Sequence, residues 1–461
     1  MTRPKVKFLF INPIDSSKVV ETCFPSLGLG YIASALRRKF NNIQFKVIED
    51  NVVREIANWQ PDIVGITSVS QYYNRAKMYA GIAKDFGLPI IIGGTHISAL
   101  PDTLTNNMDV AIIGEGEDTI VDLMEVYYEY GRFPKPALSD INGIAFKQDG
   151  ELITTQPRQL IEPLDDIDMP YRDMLKIDRA TSMFSSRGCP YRCTFCFSSR
   201  YWQKVRFFSA EYVAYEIEVL YKKYGANRIS FLDDLFIANK KRLANIIRIL
   251  AANDLLGKIS FICNVRSNLV DDEMASMLQS LNTELVGIGM ESGCQPTLEY
   301  LKGRGNITVE DHIRAIKTLR KYNINSHPSF IIGSPYEDRE AIMETIKFIK
   351  DNKITSFEAY VLIPFPGTPV WDYAESRGLV SNNMDWDRLG CDFSINPNPV
   401  ILSEKLSYNE IAGFYKQLTD RRDMYIKLKW IKDAANLTVR NPLVVPAYIW
   451  KRIKHGDKHN E

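Results

Sequence analysis

Between Lys5 and about Tyr130, short unbroken apolar runs alternate with amphipathic stretches. The runs Lys5–Asn12, Gln44–Glu49, Ile63–Val69, Pro89–Ile92 and Val110–Gly114 read as β-rich segments, and helical patterns such as Gly30–Lys39 and Asn74–Phe86 lie between them. Strands that are apolar on both faces and interleaved with helices belong in a parallel sheet covered on both sides. The pattern therefore predicts an α/β fold opening with a doubly wound domain over residues 1–135. Ligands of such sheets sit beyond the carboxyl ends of the strands. Ser68 and Ser70, Gly93-Gly94-Thr95-His96 and Gly114-Glu115-Gly116-Glu117 fall there.

From Gly131 to Tyr171 the chain is rich in Pro and Asp, with a hairpin signal at Ile144–Ile153 around Asp149-Gly150. This predicts a linker over 136–180. A second alternating series follows over 181–382. Its strands are Met183–Ser186, Arg228–Asp233, Ile259–Asn264, Leu285–Glu291, Ser326–Ile332 and Glu358–Leu362, and its helices Ala210–Tyr224, Lys240–Asn253, Asp272–Leu281, Val309–Tyr322 and Arg339–Asp351. Six βα repeats with polar and glycine residues at the strand ends predict a partial TIM-type (β/α)6 barrel whose chemistry lies at its carboxyl-terminal face. Residues 383–461 lose the alternation and read as a helical, basic region. From Arg421 to Glu461 there are ten Lys or Arg against four Asp or Glu, a net of +6.

Composition narrows the partners. At 461 residues, two or three domains are the natural expectation. A formal charge of +1 gives no global argument for nucleic acid. The apolar run Val6–Ile11 is too short for a signal-peptide core, and no run approaches the ~20 residues needed to span a bilayer. A cytoplasmic protein is expected. The seven cysteines are odd in number and three of them crowd into Cys189–Cys196, which does not suit a disulfide framework.

Those three stand in Ser186-Arg187-Gly188-Cys189-Pro190-Tyr191-Arg192-Cys193-Thr194-Phe195-Cys196. Three thiolates at spacings of four and three residues can wrap one small cluster from a single loop. Structural zinc competes for this reading but wants four ligands, usually as two separated pairs. Inert core cysteines do not gather in a Gly/Pro loop, and a redox dithiol at Cys193 and Cys196 leaves Cys189 idle. Three ligands on a four-iron cubane leave one iron open to chelate the amine and carboxylate of a bound molecule.

The Cys-x3-Cys-x2-Cys spacing, with Phe195 before the third cysteine and the first strand of a (β/α)6 barrel ahead of it, resembles the radical S-adenosylmethionine superfamily over about Thr181–Thr368. The resemblance implies a [4Fe–4S] cluster on Cys189, Cys193 and Cys196, S-adenosylmethionine as cosubstrate and a 5′-deoxyadenosyl radical. Asp233 and Asp234 end the second strand near the expected methionine amine, although the family's common Gly-Gly-Glu is absent. Asn264 and Arg266 follow the third strand, and a guanidinium suits the methionine carboxylate. Glu291 ends the fourth strand and is expected to face the ribose or amine. Pro364-Phe365-Pro366-Gly367-Thr368 closes the sixth, near adenine. Lys302 reads as a solvated helix end.

The preceding domain looks like that of the cobalamin-binding branch of the superfamily, with a flavodoxin-like fold. The resemblance implies cobalamin contacts at Ser68, Ser70, Gly93, Gly94, Glu115 and Gly116. The Asp-x-His-x-x-Gly pattern that supplies a cobalt ligand in other cobalamin domains is absent, so base-off cobalamin without a histidine ligand is expected. His96 reads as a rim or tail-contact residue, and Gln71-Tyr72-Tyr73 as candidates for the lower face of cobalt. No Gly-x-Gly-x-x-Gly loop follows the first strand, which disfavours NAD. The combination implies a methyltransferase acting on an unactivated carbon or on phosphorus of a small or lipid-like substrate, through the radical and methylcobalamin. A non-methylating cyclase or oxidase of the anaerobic magnesium-protoporphyrin ester cyclase type is the alternative. A methylthiotransferase needs further N-terminal cysteines, and only Cys23 precedes Cys189. The expected partners are an electron donor such as ferredoxin or flavodoxin, and no nucleic acid. Lys427, Lys429, Trp430, Lys432, Tyr448, Trp450, Lys451, Arg452 and Lys454 mix basic and aromatic character that would suit peripheral membrane contact.

Overall fold

The computed structural model describes residues 4–14, 25–390, 393, 396 and 398–440, with side chains described as far as 428. Of the residues put forward for membrane contact, Lys427 has a described side chain, Lys429, Trp430 and Lys432 are described only as backbone, and the others fall outside the described residues. Among the described residues no helix is long and apolar enough to cross a membrane.

The first domain is a seven-stranded sheet in the order β2-β1-β3-β4-β5-β6-β7. Its strands are β1 (Val6–Ile11), β2 (Ile43–Ile48), β3 (Ile63–Thr67), β4 (Ile90–Gly93), β5 (Val110–Ile112), β6 (Ile144–Gln148) and β7 (Glu151–Thr154). Between them run α1 (Leu27–Lys39), α2 (Val52–Trp59), α3 (Tyr73–Asp85), α4 (Thr95–Ala99), α5 (Glu117–Tyr130) and the short α6 (Lys135–Leu138). The first five strands are parallel. Alternate residues of each strand feed two separate cores, as expected of a sheet covered on both faces. Phe8, Phe10, Ile63, Ile91 and Val110 pack under α1 and α5, while Leu9, Ile11, Val64, Ile66, Ile90 and Ile92 pack under α2 and α3.

The hairpin expected inside a linker belongs instead to this sheet. β6 pairs antiparallel with β5 through Ala111↔Ala145 and Ile112↔Ile144, and β7 continues the edge. Ile144, Ala145 and Phe146 are fully buried, so burial of this apolar triplet draws the strand into the sheet despite the polar surroundings.

The second domain carries six parallel strands in the order β8-β11-β12-β13-β14-β15. They are β8 (Ala180–Met183), β11 (Arg228–Phe231), β12 (Ser260–Val265), β13 (Thr283–Glu291), β14 (Asn325–Ile332) and β15 (Glu358–Val361); a two-stranded ribbon of β9 (Ser186–Arg187) and β10 (Arg206–Phe207) follows the first. Strands and helices alternate: α7 (Ser198–Tyr201), α8 (Ala210–Tyr224), α9 (Lys240–Ala252), α10 (Asp272–Ser280), α11 (Gln295–Lys302), α12 (Val309–Lys321), α13 (Arg339–Asp351) and α14 (Pro369–Ser376), before the long α15 (Tyr408–Arg440). Most of these helices start where a side chain accepts from the first turn: Ser209 from Tyr212, Asn239 from Arg242, Asp271 from Met274, Asp338 from Ala341 and Thr368 from Trp371. Thr308 and Asp311 form a reciprocal capping box. The helix-facing residues of the strands, among them Ile229, Phe231, Phe261, Cys263, Val286, Ile288, Phe330 and Ile332, form one core with the helices.

The two domains share an apolar seam. Leu301, Ile331, Leu362, Ile363, Val370 and Trp371 from the barrel join the α2–α3 side of the first domain in a single cluster. Trp386 completes it, stacked 6.0 Å from Trp371 and edge-on to His96 at 4.5 Å. The first turns of the region read as a separate C-terminal unit thus pack onto the first domain.

Candidate functional site

The cysteine loop leaves β9 and ends in α7, at the carboxyl-terminal face of the barrel. Cys193 is buried, and Cys189 and Cys196 are partly open; all three are free thiols. The loop is held by its own surroundings. Arg200, four residues after Cys196, donates to the carbonyls of Cys193 at 3.2 Å and Cys196 at 2.7 Å. The Thr194 amide donates to Leu301 O at 2.8 Å. The backbone N–H groups of Tyr191 and Ser198 act to lower the pKa of the Cys189 and Cys196 thiols. Burial nevertheless pushes the Cys189 thiol up and that of Cys196 to about 11. Phe195 reaches the other way and packs, half-buried, against the shared seam.

Arg266, just past β12, lies against this loop. Its guanidinium sits 3.8 Å from the Tyr191 ring centroid, with Nη1 3.8 Å from Cys193 Sγ, and its buried Nε has no partner within the chain. Glu291 ends β13 at a register shift, with φ at 63°, a conformation rarely adopted outside glycine. Its carboxylate pairs with Lys302 at 2.9 Å, and Lys302 also donates to Gly289 O at 2.7 Å. Gly289 makes room for the pair, because a Cβ there would lie 2.4 Å from Glu291 Oε1. Lys302, expected as a solvated helix end, is only 5% exposed. The anionic partner at the end of β13 draws it inward.

The two aspartates separate in role. Asp233 is fully buried and accepts from Ser185 N at 2.6 Å, Ser185 Oγ at 2.5 Å and Ser186 Oγ at 2.6 Å. Burial holds its carboxyl above the ordinary range despite those bonds. Asp233 therefore braces the approach to the cysteine loop instead of facing a cosubstrate. Asp234 is exposed at the mouth and accepts from the Ser198 hydroxyl. The Pro364–Thr368 turn lies against the loop as well: a Cβ on Gly367 would strike the Phe197 ring at 2.5 Å and meet Ala99 of α4 at 3.6 Å.

Among the described residues, no group of three His, Cys, Asp or Glu converges as it would on a single metal ion. A cubane does not ask for that, since its thiolates bind separate irons. Three soft sulfur donors in one loop, with a guanidinium beside one of them, fit an iron–sulfur centre.

In the first domain the rim is built differently. Gly94 has φ at 106°, and a Cβ there would lie 2.5 Å from Ser68 O. Ser68 Oγ donates to Gly93 O at 3.1 Å, and Ser70 Oγ lies 3.0 Å from His96 Nδ1. His96 is fully buried, stacked 3.8 Å from Tyr73, and its Nε2 lies 3.1 Å from Thr103 Oγ1. Burial holds this imidazole down at about 3, so it stays neutral and is not free to reach a metal. Tyr73 is also core, donating to Thr103 O at 2.6 Å, while Gln71 and Tyr72 are half-buried. Glu115 is buried in ion pairs with Arg187 and Arg206. Ser68, Ser70 and Glu115, expected as cofactor contacts, thus have their side chains engaged within the chain. Gly116 is buried at the start of α5, 2.8 Å from Ile32 Cδ1 by its would-be Cβ, so close helix packing accounts for it. What the rim leaves open is backbone: a Cβ on Gly114 would meet nothing within 4 Å, and Gly93 is half-exposed. This rim, with open glycine backbone and Thr95 and Val69 exposed beside it, fits a flat, bulky ligand.

Residues 183–349 match the family model of the radical SAM superfamily, and residues 17–124 that of the B12 binding domain. The chain is 33% identical over 398 residues to an uncharacterised methyltransferase of Pyrococcus horikoshii, covering 82% of this chain and 84% of that protein. The chain belongs to the cobalamin-binding radical SAM enzymes.

This radical SAM enzyme is also 27% identical over 369 residues to the anaerobic magnesium-protoporphyrin IX monomethyl ester cyclase of Rubrivivax gelatinosus, covering 75% of this chain and 66% of the cyclase. Its fold resembles that of the radical S-adenosylmethionine methyltransferase TsrM of Kitasatospora setae, solved with cobalamin and a [4Fe–4S] cluster bound. The TM-score is 0.66 and the identity 19%, over 82% of this chain and 76% of that one. By the radical SAM and B12-binding family matches, its cofactors are a [4Fe–4S] cluster, S-adenosylmethionine and cobalamin.

Sequence reasoning missed several residues around the radical SAM site. Tyr191 and Arg200 support the loop, and their nearness to the cysteines was the available signal. Glu337, in the loop after β14, is buried and accepts from Gly333 N at 2.7 Å and Ser334 N at 3.2 Å. Its other oxygen has no partner within the chain, and burial pushes the carboxyl up to about 7. Its signal was position alone, at the end of a barrel strand.

Proposed function

We propose that the protein is a cobalamin-dependent methyltransferase acting on an unactivated carbon or phosphorus centre of a small or lipid-like substrate. The carrying observation is that the cysteine loop and the open glycine rim of the first domain sit at one seam: Phe195 packs into the cluster shared by both domains. The name of the Pyrococcus horikoshii relative and that of TsrM support methyl transfer. When bound, cluster, S-adenosylmethionine and cobalamin supply a carbon-centred radical and a transferable methyl group.

Cys189, Cys193 and Cys196 hold the cluster in this reading. Arg266, stacked on Tyr191 beside Cys193, offers its unpartnered Nε–H to the methionine carboxylate. Asp234 faces the amine from the open rim, and the Glu291–Lys302 pair presents both charges to the ribose end. Gly93, Gly94 and Gly114 let the backbone approach the corrin. The substrate enters where the barrel mouth meets the first domain, and the apolar Ile331, Leu362 and Ile363 of the seam exclude water there. A ferredoxin or flavodoxin supplies the electron.

The similarity to the Rubrivivax gelatinosus cyclase favours, as a second reading, oxidation or ring closure without methylation. Anaerobic incubation with methyl-labelled S-adenosylmethionine, a reductant and a cell extract as substrate source separates the two. Methylation yields S-adenosylhomocysteine together with 5′-deoxyadenosine and labelled product. 5′-Deoxyadenosine without S-adenosylhomocysteine or transferred label would replace methylation with the second reading.

A further inference from the structure

The turn Gly114–Glu117 of the first domain makes its strongest bonds to the flanks of the cysteine loop, although the two lie 70 or more residues apart along the chain. Ahead of the loop, Arg187 stands two residues before Cys189. Its Nη1 meets Glu115 Oε1 at 2.5 Å and its Nη2 bonds Glu117 Oε1. The guanidinium lies between the rings of Tyr31 and Trp202, at 5.1 and 5.2 Å. Behind the loop, the Tyr201 hydroxyl donates to Gly114 O at 2.7 Å. Arg206, paired with Arg187 in the β9–β10 ribbon, holds Glu115 through both oxygens at 2.8 and 2.9 Å. Ile161, in the segment crossing between domains, donates its amide to Glu115 Oε2 at 2.8 Å and accepts from Arg206 at 2.6 Å.

All four charged side chains are buried, from 3 to 8% exposed. Burial pushes the Glu115 carboxyl up, but the bonds from Arg206 and the charge of Arg187 more than offset this and hold it below the ordinary range. Buried ions are tolerated only when paired in good geometry, so the network admits essentially one register of the two segments.

We infer that Glu115 and Glu117 are positioning residues for the iron–sulfur cluster: through Arg187 in front and the Gly114–Tyr201 bond behind, one turn of the cobalamin domain fixes both ends of the loop that carries the three cysteines. The inference rests on the reading that Cys189, Cys193 and Cys196 hold the cluster. It reassigns Glu115 from a cofactor contact to part of the device that sets cluster and cobalamin in register, and leaves Gly114 on the open rim.

The test uses the full chain, reconstituted anaerobically, as wild type, Glu115→Gln, Arg187→Lys and Tyr201→Phe. Iron release to a chelator, the EPR signal of the reduced cluster with and without S-adenosylmethionine, and cobalamin retention by absorbance are read together. Glu115→Gln releases iron about tenfold faster, the usual consequence of losing support around metal ligands. Its S-adenosylmethionine-dependent EPR change broadens, and cobalamin retention stays within about twofold of wild type, inside the context spread of such effects. Arg187→Lys does the same, because an ammonium cannot bridge two carboxylates as a planar fork does. Iron release and EPR unchanged in Glu115→Gln overturn the inference, as does loss of cobalamin with the cluster intact. Where Glu115→Gln fails to fold, Tyr201→Phe removes one hydroxyl only, and an unchanged iron-release rate there is equally fatal. A Cys193→Ala chain that keeps its [4Fe–4S] signal would instead refute the cysteine reading, a result that none of the Glu115 outcomes can mimic.

Discussion

The two sheets end in rims of opposite construction. In the barrel, the side chains proposed for cluster and cosubstrate gather beyond the strand ends: three thiols, Arg266, Asp234 and the Glu291–Lys302 pair. In the first domain most polar side chains at the strand ends turn inward, as Ser70 does to His96 and Ser68 to Gly93, and what remains at the surface is chiefly glycine backbone, beside Thr95 and Val69. The helix starts repeat the contrast. Barrel helices α8, α9, α10, α12, α13 and α14 are capped by a preceding side chain, whereas no helix described in the first domain has a side-chain cap. A metal cluster needs particular donor atoms, so its site is a matter of residue identity. A large flat ligand needs space and main-chain polarity, so its site is a matter of what is missing.

Removing one donor from the first kind of rim has the largest expected effect. Cys193→Ala should abolish the cluster's EPR signal and all turnover while cobalamin is retained at the wild-type level; simultaneous loss of cobalamin would merge the two rims into one site. Next comes the glycine on which the second rim turns. Gly94→Ala drives a Cβ into Ser68 O at a positive φ and should destabilise the first domain by about 3 kcal/mol, read from thermal melts of the apo chain, with cobalamin retention falling in step.

The same substitution on the barrel rim should behave differently. At Gly289→Ala the added methyl meets only the ends of flexible side chains, Glu291 Oε1 and Lys302 Nζ. Stability should fall by about 1 kcal/mol, the low end for an added methyl in a packed site, while S-adenosylmethionine binds roughly tenfold more weakly, the equivalent of about 1.4 kcal/mol. Equal losses of stability in the two glycine variants would erase the distinction drawn between the rims.

The smallest effect is a pH slope. His96 is held at about 3 in the folded chain against an ordinary 6.5. The unfolded chain therefore binds the extra proton between those values, and stability falls as pH drops through 6.5 toward 3. From pH 6.5 to 5.5 His96 accounts for about 1 kcal/mol. His96→Gln should lose that part of the slope in urea melts taken at the two pH values. An unaltered slope would mean that the imidazole is not sealed inside the rim.

Much of the architecture was legible because burial on two faces writes itself as unbroken apolar strands. Val6–Ile11, Ile63–Thr67 and the barrel series fall within a few residues of the segments read from pattern, and α8 and α13 have the expected bounds. Capping residues such as Ser209, Thr308 and Asp338 mark helix starts locally. The β6–β7 hairpin was misjudged as linker because its pairing with β5 is a long-range choice, made by three buried residues in a polar stretch. The cysteine triplet was legible because its donors are close in sequence. Glu115 and Asp233 were not, because the charges and hydroxyls that claim them stand far off along the chain; Lys302 was not, because its partner Glu291 is turned toward it only by the bend at the end of β13.

By itself, then, the amino-acid sequence determined the order of strands and helices and the chemistry of the thiol loop, since both depend on neighbours within a few positions. Only the tertiary structure decided which charged residues face a ligand and which lock the domains together. Whether a carboxylate is free or bound depends on a partner dozens of residues away: Glu115 finds Arg187 and Arg206 only when the two sheets meet, and there the cost of burying each ion is met by the other.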